Sequence, residues 1–212
     1  MRTWAIVVAA GGGSRFGAAK QFAMLGALSV LDRSVAVARE SCDGVTVVLP
    51  ADSAWHAPAG VTVVPGGATR SESVRAGLEV VPDDVEVVLV HDAARPLASR
   101  ALFDRVVHAV AGGADGAVPA IAVADTVKRV EGNRVVETVS REGLVGVQTP
   151  QAFRASSLRA AHRRGGVDTD DAALVEADGG TVVVVEGERR NLKLTVADDL
   201  DLARALLDGA HA

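Results

Sequence analysis

The sequence has few cysteines and no long apolar run, and each of these shortages excludes a class of protein. Its 212 residues include one cysteine, Cys42, which excludes an intramolecular disulfide and a cysteine metal cluster and favours a cytoplasmic location. Although 49% of the residues are apolar, no apolar run approaches the length of a membrane span, so we expect a soluble chain. The apolar residues near the N-terminus lead into a glycine loop, so we expect no cleavable signal peptide there.

The chain has no net positive charge, and lysine is scarce. The formal net charge is −5, which argues against a general nucleic-acid-binding surface. Of the 22 basic residues, only Lys20, Lys128 and Lys193 are lysines. A compact ammonium and a planar guanidinium are not interchangeable, so the rare lysines are candidates for functional positions. The length predicts a single domain over residues 1–212 with a sizeable core.

A glycine-rich loop follows the first predicted strand, which is the apolar run at 4–10. The loop supplies three glycines and two cations, at Gly11, Gly12, Gly13, Arg15 and Lys20. Backbone N–H groups near glycines can approach phosphate oxygens closely, so we predict a polyphosphate site; the alternative is a tight strand-to-helix turn. The loop lacks the Gly-Lys-Ser/Thr end of a Walker A motif, and Gly17 is one place late for a dinucleotide fingerprint.

Strands and helices alternate along most of the chain. The patterns predict strands at 45–49, 61–64, 86–90, 115–121 and 181–185, and helices at 28–41, from about 70, after Ser99, at 155–164, after 168–171 and from 198. This rhythm predicts an α/β fold with a Rossmann-like, mostly parallel, twisted sheet flanked by helices. We expect the acids at 168–171 to form a solvated helix start, in preference to a metal site, and Asp198 to cap the last helix.

Two further segments carry polar residues at positions where ligands bind in such folds. Gly66 and Gly67 lead into a helix with Arg70 near its start, where an anion or a base could lie. The alternative is a plain capping turn with Thr69 or Ser71 as the N-cap.

The second segment follows the strand predicted at 86–90 and reads His91-Asp-Ala-Ala-Arg-Pro96. Ligands in open α/β sheets lie beyond the carboxyl ends of the strands. Asp92 is therefore a candidate ligand for Mg²⁺, which prefers oxygen; the alternative is an Asp92–Arg95 ion pair that closes a loop.

Residues at about 125–140 break the α/β rhythm. Apolar and polar residues alternate on both sides of Gly132-Asn133, a pair that suits a tight turn, so we predict a long hairpin. The edge strands of a projecting hairpin present unpaired backbone N–H and C=O groups, which must be paired or covered. Pairing with a second subunit in a homodimer and folding back onto the chain's own sheet both satisfy that need.

The full set of motifs resembles one enzyme family from end to end. The motifs are Ala9-Ala-Gly-Gly-Gly-Ser-Arg15 with Lys20-Gln-Phe, Gly66-Gly67 with Arg70 and Ser73, His91-Asp-Ala-Ala-Arg-Pro96, Asp125-Thr-Val-Lys, Gln148-Thr-Pro-Gln151 and Asn191-Leu-Lys193-Leu-Thr. They resemble those of the 2-C-methyl-D-erythritol 4-phosphate cytidylyltransferases. The first motif marks only the wider nucleotidyltransferase group, whereas the His-Asp-Ala-Ala-Arg-Pro and Thr-Pro-Gln motifs are more specific.

The resemblance implies a fold of the nucleotide-diphospho-sugar transferase type and an enzyme of non-mevalonate isoprenoid synthesis. Such an enzyme joins CTP and methylerythritol phosphate with Mg²⁺, releases pyrophosphate, and is a homodimer joined by a β-arm. By resemblance, Arg15 and Lys20 stabilise the transition state, and Arg141 and Lys193 position the substrate phosphate. CTP would contact Ala9, Ala10, Gly11, Gly67, Arg70, Ser73 and Asp92. The alcohol phosphate would face Ala93, Arg95, Thr126 and Thr149.

The sequence departs from the family's pattern at two positions, and rival functions remain. Ala19 stands where a proline is frequent, and Ala68 stands where we expect an acidic residue.

One rival function is that of a cytidylyltransferase for another polyol phosphate, such as ribitol 5-phosphate. Others are a nucleotide-binding module without turnover and a dehydrogenase. The imperfect dinucleotide pattern argues against a dehydrogenase, and the intact cations argue against an inactive module.

Overall fold

The computed structural model describes residues 1–11, 20–165 and 170–209. Arg15 and the glycine loop beyond Gly11, together with Asp168, lie outside the described residues. The strands are β1 (Thr3–Val8), β2 (Met24–Leu25), β3 (Leu28–Ser29), β4 (Gly44–Leu49), β5 (Val61–Pro65), β6 (Val87–Asp92), β7 (Gly116–Ala122), β8 (Val127–Glu131), β9 (Arg134–Val139), β10 (Val145–Val147), β11 (Gln151–Arg154) and β12 (Val182–Glu186). The helices are α1 (Val30–Ser41), α2 (Arg70–Glu79), α3 (Arg100–Ala111), α4 (Ala155–Arg163), α5 (Asp171–Ala177) and α6 (Asp198–Asp208), with a 3₁₀ turn at Lys20–Phe22.

The main sheet has the order β10-β7-β11-β6-β1-β4-β5, and β12 pairs with β7. Strands β6, β1, β4 and β5 are parallel, whereas β10 and β11 run antiparallel to their neighbours. The predicted α/β class is confirmed. Because β1, β5 and β6 are parallel, their carboxyl ends meet at one edge of the sheet, where such folds bind ligands.

The two faces of the sheet are both covered by helices. In β1, Ala5 and Val7 belong to a core with α1 and α3, whereas Ile6 belongs to a second core with α2, α4 and α5. Every residue of β6 is buried, as expected for a strand covered on both faces. A third, smaller cluster packs Leu194 against α6 and the β2–β3 pair, and so anchors the segment that contains Lys193.

Side-chain caps set several helix starts, and two of them differ from the predictions. The helix predicted at 28–41 begins at Val30, because Leu28 and Ser29 pair with β2 and Ser29 then caps the helix. Asp198 does not cap α6; it is the first residue of that helix. The next residue, Asp199, instead accepts hydrogen bonds from the backbone N–H groups before the helix, including that of Val196 at 2.9 Å.

The predicted hairpin is present as β8 and β9, which pair with each other around Gly132 at φ +59°. They form a two-stranded sheet of their own, so within the described ranges the hairpin does not fold back onto the main sheet. Apolar side chains on it are exposed, among them Val130 and Val135, each more than half exposed. We refer to residues 125–140 as the arm.

No helix in the part of the chain that the structure describes combines the length and the apolar character needed to cross a membrane.

Candidate active site

Two adjoining cavities lie at the carboxyl ends of β1 and β6, with volumes of about 270 and 190 Å³. The larger one is lined by residues from the glycine loop and the start of α2, and we call it the nucleotide cavity. The smaller one is lined by residues that include Arg95, Val147, Gln148, Thr149 and Gln151, and we call it the acceptor cavity. Arg70, Asp92 and Lys193 line both cavities. The sequence predicted that these three residues share a site, and the structure brings them together.

Asp92 lies between two cations. One of its carboxylate oxygens is 2.6 Å from Nζ of Lys193, and the other is 3.3 Å from Nε of Arg70. Burial alone would raise the pKa of the Asp92 carboxyl, but Arg70 and Lys193 outweigh burial and hold that pKa well below its usual range. Asp92 is therefore a fixed negative charge. The Asp92–Arg95 ion pair, which was the alternative to a metal ligand, is not formed, because Arg95 donates to the carbonyl oxygens of Asn191 and Val147.

The nucleotide cavity contains most of the residues expected to bind CTP. Its lining includes Ala10, Gly11, Gly67, Arg70, Ser73 and Asp92. Ala9 is buried, and its backbone N–H donates to the carbonyl of Val48, so it supports the cavity wall and its contact with CTP stays a prediction.

Close packing explains the glycines before α2. A Cβ on Gly66 would lie 2.3 Å from Cβ of Ala10, and one on Gly67 would lie 2.4 Å from Cβ of Glu72. The chain therefore passes close beneath the nucleotide cavity only because these side chains are absent.

The start of α2 is both a cap and part of the site. Thr69 is the N-cap and forms a capping box with Glu72, as the capping alternative predicted. Glu72 also accepts a hydrogen bond from the backbone N–H of Ala68 at 2.7 Å. Ala68 itself lines the nucleotide cavity without an acidic side chain, and the neighbouring carboxylate of Glu72, which does not line the cavity, binds the backbone.

The acceptor cavity is built around Thr149. Its Oγ1 accepts a hydrogen bond from the backbone N–H of Asp92 at 3.0 Å and lies 3.2 Å from Nδ1 of His91. The hydroxyl proton is then free to be donated to His91; this proton placement follows from the hydrogen-bond network. Burial lowers the pKa of His91 to about 4, so the ring is neutral at pH 7 and can accept that proton. Ala93 is buried beside the site and lines neither cavity.

The segment containing Lys193 is fixed by side chains far away in sequence. Asn191 is fully buried and donates from Nδ2 to the carbonyl oxygen of Thr149 at 2.9 Å. Lys20 donates from Nζ to the carbonyl oxygen of Leu194 at 2.7 Å, so the end of the glycine loop lies beside this segment. Lys20 therefore lies beside the segment that contains Lys193, although the two lysines have different predicted roles.

Arg141 and Thr126 are not brought into this site. Both are exposed at the base of the arm, and Arg141 donates to the carbonyl oxygen of Ala124. Neither residue lines the nucleotide cavity or the acceptor cavity. Their predicted contacts with the substrate phosphate are therefore not made within one subunit as described.

Asp171 is a site residue that the sequence analysis missed. The acids at 168–171 were expected to form a solvated helix start, which is wrong for Asp171, because it is fully buried. Its carboxylate lies 2.7 Å from Nη1 of Arg70 and 3.0 Å from Nε2 of His162. Asp170 caps α5 instead, through the N–H of Ala173. A second acid directly after a capping acid is the only sequence signal for Asp171.

Comparison with known proteins agrees with the motifs. The sequence model of the family described as IspD, 2-C-methyl-D-erythritol 4-phosphate cytidylyltransferase, matches residues 3–209. The 2-C-methyl-D-erythritol 4-phosphate cytidylyltransferase of Frankia casuarinae is 45% identical over 216 residues, covering 97% of this chain and 81% of the relative. The bifunctional enzyme IspD/IspF of Rhodospirillum rubrum is 43% identical over 97% of this chain and 57% of its own length. The chain therefore spans little more than half the length of such bifunctional relatives.

Solved structures give the same result. The crystal structure of 2-C-methyl-D-erythritol 4-phosphate cytidylyltransferase from Thermus thermophilus matches with a TM-score of 0.85 and 38% identity, covering 96% of this chain and 98% of that one. The structure of the bifunctional IspDF from Campylobacter jejuni matches with a TM-score of 0.80 and 31% identity, covering 95% of this chain and 54% of that one. The chain therefore belongs to the 2-C-methyl-D-erythritol 4-phosphate cytidylyltransferase family.

Proposed function

We propose that this chain transfers the cytidylyl group of CTP to 2-C-methyl-D-erythritol 4-phosphate and releases pyrophosphate. The observation that carries the proposal is the pair of adjoining cavities that share Arg70, Asp92 and Lys193. Two cavities with shared charged walls suit a reaction between two bound anions. Membership of the family supports the identity of the two substrates.

The reaction joins two anions at one phosphorus atom. A phosphate oxygen of the polyol phosphate attacks the α-phosphorus of CTP, and the new P–O bond forms as the bond to the bridging oxygen breaks. The electron pair of that bond leaves with pyrophosphate. The attacking oxygen already carries negative charge, so no general base is needed. The protein must therefore align the reactants and stabilise charge that moves to the leaving group.

Residues of the two cavities would share this work with the two cations of the glycine loop. Gly67, Arg70 and Ser73 would hold the nucleotide, and Arg95 and Lys193 would hold the phosphate of the acceptor. Lys20, with Arg15 of the glycine loop, would stabilise the charge on pyrophosphate. Removal of one such fixed donor typically lowers the rate about 10²- to 10³-fold.

Mg²⁺ fits this site as an ion that arrives with the nucleotide. Within residues 1–11, 20–165 and 170–209, no three His, Cys, Asp or Glu side chains form a ready metal site. Mg²⁺ is often held by one or two carboxylates together with substrate phosphates, and Asp92 offers such a carboxylate in the nucleotide cavity. When bound, the ion would neutralise phosphate charge.

We also infer a homodimer joined by the arm. The support is the unpaired two-stranded sheet of the arm and the exposed Val130 and Val135 on it. Arg141 and Thr126, at the base of the arm, would then act at the partner's acceptor cavity. A cytoplasmic location is proposed on the single free cysteine, Cys42.

The experiment that tests the proposed function is pyrophosphate release from CTP and Mg²⁺ with a panel of polyol phosphates. The panel contains 2-C-methyl-D-erythritol 4-phosphate, erythritol 4-phosphate and ribitol 5-phosphate, and ATP replaces CTP in a parallel series. We expect turnover only with CTP, and the highest kcat/KM with the methylerythritol compound. Preference for ribitol 5-phosphate would replace the proposed acceptor, and absence of turnover with every acceptor would overturn the proposal.

A further inference from the structure

Arg70 is held by two carboxylates that differ in their surroundings. Asp92 lines both cavities and is shared with Lys193, and its side chain is 12% exposed. Asp171 lines neither cavity, and its side chain is 1% exposed. A ligand in either cavity can therefore reach Asp92 directly, whereas Asp171 is screened from ligands by Arg70 itself.

His162 completes the contact on the side away from the cavities. It lies on α4 with a side chain that is 2% exposed, and its Nε2 is 3.0 Å from Oδ1 of Asp171. A carboxylate accepts hydrogen bonds, so Nε2 is the donor in this contact; the tautomer follows from the network. Oδ2 of the same carboxylate accepts from Nη1 of Arg70 at 2.7 Å. One buried carboxylate thus joins Arg70 of α2 to His162 of α4.

The two contacts have different consequences once a nucleotide binds. A metal–nucleotide complex would engage Asp92 and would compete with Arg70 and Lys193 for its oxygens. The Arg70–Asp171 contact is outside that competition. A guanidinium is a rigid plane attached to α2 through its side chain, so a second fixed point at Nη1 restricts the directions of the remaining N–H groups. Arg70 then keeps one orientation whether or not Asp92 is engaged.

We propose that Asp171 and His162 are positioning residues that hold Arg70 in its nucleotide-binding orientation. The inference rests on the proposed function, because it assigns Arg70 to CTP. Neither residue lines the nucleotide cavity or the acceptor cavity. The pair acts through preorganisation, so its loss should weaken the binding of CTP and leave the binding of the acceptor phosphate almost unchanged.

Two substitutions of His162 separate a positioning role from a packing role. Measured from the backbone, the amide nitrogen of a glutamine side chain reaches about as far as Nε2 of histidine. The amide nitrogen of asparagine reaches only about as far as Nδ1 of histidine. We expect His162→Asn to raise the Kd for CTP about five- to tenfold, less than the full loss of a hydrogen bond to a charged group, because the effect reaches CTP only through Arg70. His162→Gln should restore binding to within about twofold of the unchanged protein.

The measurement is calorimetric titration of the full chain with CTP and Mg²⁺, together with KM values for both substrates and thermal unfolding of each variant. The KM for the acceptor should change less than the KM for CTP. Val175→Ala is the matched control: Val175 is buried in α5, the helix that contains Asp171, so this substitution lowers stability without removing the Arg70–Asp171–His162 contacts.

The outcomes are distinguishable. If the unchanged protein does not bind CTP, the proposed function fails. If it binds CTP and His162→Asn binds equally well, the positioning role is wrong. It is also wrong if Val175→Ala or His162→Gln weakens CTP binding as much as His162→Asn does, because the effect would then follow stability or packing.

Discussion

Replacement of Lys193 by alanine should separate activity from stability. The Lys193 side chain is 44% exposed, and its ion pair with Asp92 faces the cavities. The Asp92 end of the pair is buried but Lys193 is solvated, so we place the pair at the upper end of the about 0–1 kcal/mol that exposed ion pairs contribute to stability. Asp92 keeps its contact with Arg70 in the variant, so the buried carboxylate is not left alone. We therefore expect a loss of about 1 kcal/mol, or a fall in Tm of about 2–4 °C for a chain of this size.

The effect on turnover should be much larger. If Lys193 holds the acceptor phosphate, its loss removes a fixed cation from the transition state and lowers kcat/KM for the acceptor about 10²- to 10³-fold. The KM for CTP should change less, although Lys193 also lines the nucleotide cavity. Lys193→Met retains most of the apolar stem without the charge, so it should lose as much activity as Lys193→Ala.

The assay is steady-state pyrophosphate release with each substrate varied in turn, accompanied by thermal unfolding. A KM increase confined to CTP would move Lys193 to the nucleotide. Retention of activity in Lys193→Met would show that the stem, and not the charge, is required. A fall in Tm above about 10 °C would contradict the small stability term that we derive from the exposure of the pair.

Three more outcomes are expected. Lys20→Ala should lower kcat about 10²- to 10³-fold with little change in Tm, and normal turnover would refute its role at the leaving group. In an equimolar, fully exchanged mixture of Arg141→Ala and Lys193→Ala chains, about a quarter of the normal activity should return if the arm serves the partner's site; no recovery would place both residues at one subunit's site. Burial lowers the pKa of His91 to about 4, below its unfolded value of about 6.5, so the neutral ring stabilises the fold above about pH 6.5. That contribution, about 3 kcal/mol, is lost as pH falls towards 4, so urea unfolding of His91→Asn should depend less on pH in this window than that of the unchanged protein.

Local signals predicted the parts of the fold that depend on neighbouring residues. Hydrophobic period and turn residues predicted the parallel strands and the hairpin at Gly132, and they reduced the cap of α2 to Thr69 or Ser71, of which Thr69 is the cap. The same signals gave the wrong helix start where a neighbouring residue or strand competed for the same backbone groups. Ser29 was placed inside a helix although it ends a short strand and caps α1. Asp198 was taken as a cap, whereas Asp199 accepts the backbone hydrogen bonds before α6.

The motifs predicted which residue types gather at the carboxyl ends of β1 and β6, because each motif directly follows a strand or begins a helix there. Asp92 is the clearest case: it is the last residue of β6, so its position follows from the strand itself. The sequence could not predict its partners. Arg95 is near in sequence but bonds two carbonyl oxygens, while Lys193 arrives from the far end of the chain and pairs with Asp92.

The sequence by itself determined the fold class, the family and about half of the residues that line the nucleotide cavity, because these depend on periodicity and on motifs of adjacent residues. Only the tertiary structure decided which charges meet. Arg70 and Asp171 are 101 positions apart, and their contact exists because α2, α4 and α5 pack on the same face of the sheet. Arg141 lies outside both cavities, at the base of an arm that makes no strand pairing with the main sheet in the described residues.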